Sequence, residues 1–170
     1  MPTDIDSVTV TAPELTDQPD GPGKRLGRKG EITTIFDLTP HGARLLRERL
    51  PKLQQEAFVY EPRVGTVDNF RIVVIDDDTR LIATVVYDGD FKPYVDDILH
   101  FAGPWLDDIF TDVVAGYPGA DNPQAAAEFV LANAYPASIF FHAHPDQTSR
   151  DVAKLTRLGA AFNEVLDAAS

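Results

Sequence analysis

His142 and His144, two residues apart at the end of Ala137-Ser-Ile-Phe-Phe-His-Ala-His144, are the residues best placed by type and spacing to do chemistry. On a strand, alternate side chains share a face, so both imidazoles point the same way. Such a pair can move a proton near neutral pH or bind Zn, Fe or Cu. A metal needs a third ligand, and Asp37 and Asp146 are the candidates by type. The plainer alternative puts both histidines in a wet turn beside Pro145-Asp146. Arg71 is the third candidate. It lies in an otherwise apolar run, and its planar fork accepts a carboxylate, a phenolate or a haem propionate; otherwise it forms an edge ion pair, for instance with Asp37. Thr84 and His100 are weaker candidates for holding a cofactor. A helical histidine can ligate haem iron, but Thr84 reads equally as strand filling and His100 as a surface residue. His41 is expected to be exposed.

Other chemistry is excluded or explained without a site. The chain has no cysteine, so disulfides, thiolate metal sites and thiol nucleophiles are ruled out. Its four serines include none in a Gly-x-Ser-x-Gly elbow, and no glycine-rich phosphate loop is present. Asp76-Asp-Asp78 lacks the spacing and closing glutamate of a calcium loop and reads as a solvated turn. Asp88 and Asp90 read as caps of the helix that follows.

The elements that must position these residues start near Glu31. Residues 1–29 carry four of the prolines and many charges, and read as a disordered tail. Within it, Lys24-Arg-Leu-Gly-Arg-Lys29 is the one dense basic run, read as a solvated linker. Glu31–Leu38 reads as a strand. A helix follows with Thr39 as N-cap and Pro40 in its first turn, a stripe of Ala43, Leu46, Leu50 and Leu53, and a kink or break at Pro51. Residues 67–87 read as a hairpin around Asp76–Thr79. Phe91, Tyr94, Val95, Ile98, Ala102, Trp105 and Ile109 mark a long second helix, bent at Gly103-Pro104. A third helix runs from Gln124 to about Ala134. Ala137–His144 is a fourth strand, and a C-terminal helix capped by Thr148 or Ser149 carries Val152, Leu155, Leu158, Phe162 and Leu166 on one face.

This order is βαββαβ, the ferredoxin-like α+β plan with one antiparallel sheet and extra C-terminal helices, in a single domain over residues 30–170. In the hairpin, Ile75 should oppose Arg80 and Arg71 should oppose Thr84. Phe70, Ile72, Val74, Leu81, Ala83, Val85 and Tyr87 then face the helices. The opposite face gathers Arg71, Val73, Ile75, Ile82, Thr84 and Val86, with Thr33, Ile35 and Asp37 from the first strand and His142 and His144 from the fourth. A sheet face left to water should alternate more cleanly. This one is mostly apolar, so a second copy of the chain is expected to cover it, enclosing a pocket for a small molecule.

The runs Phe70-Arg-Ile-Val-Val-Ile-Asp76, Leu81 to Tyr87-Asp-Gly-Asp90, Tyr94-Val-Asp-Asp-Ile98, Leu106-Asp-Asp-Ile-Phe110 and Gly116-Tyr-Pro118 resemble a group of bacterial proteins in the dimeric α+β barrel, ferredoxin-like superfamily. The likeness spans about residues 30–118. It implies a homodimeric small-molecule enzyme of monooxygenase-like, isomerase-like or cyclase-like chemistry on an apolar or aromatic substrate. Superfamily members that bind haem make a haem protein an alternative, and Asp88-Gly89 resembles part of a peroxidase haem motif whose remainder is missing. A non-catalytic binding or assembly module is the other alternative. No ligand position carries over from the superfamily, so the resemblance leaves the cofactor unassigned. The expected catalytic set is His142, His144 and Arg71, with no metal assigned.

A net charge of −12 opposes binding to nucleic acid or anionic membranes. No stretch approaches the roughly 20 apolar residues of a membrane span. The start of the chain lacks the pattern of a signal peptide, so a cytoplasmic location is expected.

Overall fold

The computed structural model describes residues 13–168. It is an α+β fold built on one antiparallel sheet. The strands are β1 (Leu15–Asp17), β2 (Lys24–Leu26), β3 (Lys29–Asp37), β4 (Val67–Ile75), β5 (Arg80–Asp88) and β6 (Ala134–Tyr135). The helices are α1 (Gly42–Val64), α2 (Phe91–Phe110), α3 (Pro123–Ala132) and α4 (Ser149–Ala168). Strand order is β1-β2-β3-β5-β4, with β6 paired to β3 beside the β2 contact. Among the described residues, no helix is long and apolar enough to cross a membrane.

The hairpin forms in the expected register. Arg71 pairs with Thr84 and Ile75 with Arg80, and Leu81, Ala83, Val85 and Tyr87 are all buried beneath the helices. From β3, Ile32, Thr34 and Phe36 join that face, while Thr33, Ile35 and Asp37 turn away. Pairing of β3 with β5 runs unbroken from Lys29↔Asp88 to Asp37↔Arg80. Helix α2 buries Phe91, Tyr94, Val95, Ile98, Ala102, Trp105 and Ile109, which recur at helical spacing.

Several local expectations are corrected. Helix α1 is continuous through Pro51. Leu46 and Leu53, one on each side of it, are both buried, so the core holds both halves in one helix despite the lost backbone bond. The N-cap of α1 is His41, without a side-chain bond. Thr39 donates instead to the Asp112 carbonyl at 2.6 Å. As expected, the second helix, α2, is a single element through Gly103-Pro104 to Phe110. Its first turn is capped from a distance: Asp20 accepts from the Phe91 and Lys92 amides, both at 2.9 Å, while Asp90 makes no cap bond of its own and pairs with Arg25. Sheet structure begins well before residue 30, because β1 and β2 extend the β3 edge. Residues 1–12 of the expected tail lie outside the described residues.

The largest correction concerns the fourth strand. Only Ala134–Tyr135 pairs with β3, at Thr33 and Thr34. Pro136 follows, a residue that cannot donate to a ladder. Residues 136–148 are then a strap without strand structure. The strap passes over the helix-free face at the Lys29 end of the sheet. Ala137 N donates to Glu31 Oε1 at 3.2 Å, His142 meets Asp68, and the Pro145 carbonyl accepts from Arg28 N at 2.9 Å.

Candidate functional site

The strap covers an unusual side chain. Lys29 has no solvent exposure, although it ends the run read as a solvated linker. A buried ammonium must be paired to be tolerated. Lys29 Nζ donates to Asp88 Oδ1 at 2.8 Å and lies 3.2 Å from Asp68 Oδ1. Asp88 is its register partner across β3 and β5. Asp68 reaches it from the third strand because the β4–β5 pairing slips there, between Val67 and Asn69. Such bulges re-aim a side chain, and they recur beside active sites.

Asp68 carries the strap as well. Its Oδ2 lies 2.8 Å from His142 Nε2. The other ring nitrogen, Nδ1, accepts the His144 backbone N–H at 3.1 Å. An amide can only donate, so Nδ1 is the bare nitrogen and Nε2 carries the proton given to Asp68. The second oxygen of Asp88 accepts from the Ser149 amide at 2.7 Å, tying in the start of α4. One polar chain thus runs from His144 N through His142, Asp68, Lys29 and Asp88 to Ser149. Partial burial pushes the Asp68 carboxyl up, but the hydrogen bonds from His142 and Lys29 prevail and hold it below the usual carboxylate range.

Beside this chain lies a cleft of about 580 Å³, within the range of small-molecule sites. Its floor is apolar: Leu53 and Ala57 from α1, Phe70 and Ile72 from β4, Trp105 from α2. Trp105 is fixed by donating to the Leu53 carbonyl at 3.0 Å, with the Phe70 ring 5.4 Å away. Asp68, Asn69 and Ser149, with Gln54 and Glu61 from α1, form the polar part of its lining. A second cavity under α3, of about 100 Å³, is apolar and too small for such a ligand.

The expected site residues separate. His142 enters the polar chain but lines neither cavity. The His144 imidazole is exposed, and only its main chain takes part. Arg71 is exposed on the helix-free face, in one cross-strand row with Thr84 and Thr33. It stands three residues from Asp68 on β4, roughly 10 Å along the strand. His100 is exposed against Phe101 and lines neither cavity. Asp37 is exposed at the far end of β3, and Asp146 is held near Gly27. Among the described residues, no group of three or more histidines and acids is placed to hold a metal. Lys29, Asp68 and Asp88 as a site were missed, since their partners lie 39 and 59 residues apart in sequence. A usable signal existed: extending the β3–β5 register to its end sets Lys29 opposite Asp88.

Searches against protein-family models, curated proteins and solved structures find no match to this chain. The roles of these residues therefore rest on geometry.

Proposed function

We propose that the chain is an enzyme moving a proton on an apolar or aromatic small molecule, in isomerase-like or cyclase-like fashion, with His142 as the acid–base group. The observation that carries this reading is the His142–Asp68 pair at 2.8 Å; Asp68 also lines the apolar cleft on the other face of the sheet, whereas His142 lines neither cavity, so substrate meets Nδ1 from the strap side. A carboxylate bonded to one imidazole nitrogen fixes the tautomer and leaves the other as the base. Here the orienting bond is to Nε2, so Nδ1 is the working atom. Substrate must take the place of the His144 amide. Nδ1 then removes a proton from the substrate, the imidazolium is stabilised by Asp68 and exchanges that proton with water, and a proton returns to the substrate at another position. No oxidant is needed. Lys29 is enclosed between two carboxylates and acts only by holding Asp68 in place.

The fold assignment belongs to the same reading. The β6-β3-β5-β4 order, with α1 and α2 on one face, supports a ferredoxin-like plan whose last strand is reduced to two residues. The helix-free face beyond the strap keeps Val73 about half exposed, which suits cover by a second copy as in a dimeric α+β barrel.

The test is deuterium uptake from D2O by a panel of apolar and aromatic ketones and lactones, followed by mass spectrometry. Where exchange is found, His142→Ala should slow it about 10²- to 10⁴-fold, and His144→Ala should leave it near wild type. Equal losses in His142→Ala and Arg71→Ala would move the chemistry to the Arg71 row. No loss in His142→Ala would refute the assignment. A second reading is favoured by one contact: the His144 amide already occupies Nδ1, as it would in a purely structural clasp over a binding cleft. Ligand binding unaffected by His142→Ala, with no exchange, would decide for that receptor role.

A further inference from the structure

Helix α4 leaves the body of the protein. Its first turn is anchored by a capping box, in which Thr148 Oγ1 accepts from Asp151 N at 3.1 Å and Asp151 Oδ2 accepts from Thr148 N at 3.0 Å. Beyond that turn its side chains are exposed. Val152, Leu155, Leu158, Phe162 and Val165 form one apolar stripe, each between 45% and 65% exposed. Two further features fix what kind of surface fits it.

The first is charge order. Arg150, Lys154 and Arg157 fall in the first half with the capping Asp151, and Glu164 and Asp167 near the end, so the first half is net basic and the end acidic. Asp151 suits the helix dipole, whereas Arg150 and Asp167 oppose it. Among the described residues, neither Lys154 nor Arg157 forms an ion pair. An antiparallel copy of the same helix would lay each basic half along an acidic half. The second is Gly159. It sits at the midpoint of α4, on the apolar side, and a Cβ built there meets nothing within 4 Å. Glycine within a helix costs about 1 kcal/mol relative to alanine, and no contact among the described residues requires it. At the centre of an antiparallel pair it would allow close crossing.

We infer that α4 pairs with α4 of a second copy of this chain, antiparallel, crossing at Gly159. Leu155 of one copy then packs near Phe162 of the other, and Val152 near Val165. A lipid surface fits less well, because the charges of α4 balance and the whole chain is strongly acidic. The contact is separate from any contact through the sheet.

The absence of cysteine makes the test direct. In the full chain, Gly159→Cys should form an intermolecular disulfide under mild oxidation, giving a species of twice 18.7 kDa. Ala153→Cys, on the opposite side of the helix, should not. Adding Leu158→Glu to Gly159→Cys should abolish the cross-link while helix content by circular dichroism is unchanged. Cross-linking that is equal at positions 153 and 159, or absent at 159, would overturn the pairing. So would flotation of the wild-type protein with phosphatidylserine vesicles when position 159 does not cross-link.

Discussion

Lys29 is a fully buried ammonium held between two strands. Lys29 has no water to solvate it, and two carboxylates take water's place. Removing the cation alone leaves Asp68 and Asp88 facing each other under the strap. Lys29→Met should therefore destabilise the protein by about 3–5 kcal/mol, measured by urea denaturation. Asp68 makes the prediction depend on pH. Its folded-state pKa lies below the unfolded value of about 3.9. The stability it contributes is complete above about pH 5 and is lost as pH falls through the folded-state value. Wild type should exceed Asp68→Asn in stability at pH 7, with the gap closing toward pH 2. A gap that stays constant over that range would show that the ionised carboxylate is not what matters. Lys29 ends a run of basic residues and resembles its solvated neighbours, so only the β3–β5 register carried to its end, which sets it opposite Asp88, singles it out.

At the scale of elements, the hairpin and the first two helices were readable because local pattern and tertiary demand agree there. Two-residue alternation in 70–75 and 81–87 fixed both faces and the register. The strap was misread for a physical reason. Ile139-Phe-Phe-His-Ala-His144 has the composition of a strand, but a strand needs a free edge. The β3 edge is shared by β2 and β6, and Pro136 stops the pairing just where the expected strand would begin. The Asp20 cap was also invisible locally, lying 71 residues from the amide it accepts. It ties the β1–β2 region to α2. Asp20→Ala should cost about 1 kcal/mol through loss of the cap, and hydrogen exchange should quicken at Phe91 and Lys92 before it does in the α2 interior. Unchanged protection at these two amides would contradict the assignment.

Across the whole molecule, the sheet divides its work by face. One face supports the α1–α2 core and the apolar cleft; the other supports the polar chain under the strap. The bulge at Asp68 joins them, because its carboxylate lines the cleft while bonding Lys29 and His142. The cover expected for the helix-free face was a second copy of the chain; among the described residues the chain's own strap covers one end of it. Which residues that cover would bring together could not be read from alternation, which set both imidazoles side by side. The claim on which everything else depends is that His142 is held as one tautomer between Asp68 and the His144 amide. Long-range ¹H–¹⁵N NMR of the histidine side chains at pH 8 tests it directly. A single His142 form is expected, protonated at Nε2 and bare at Nδ1, which is lost in Asp68→Asn. A His142 ring that exchanges between both tautomers, or carries its proton on Nδ1, would contradict it.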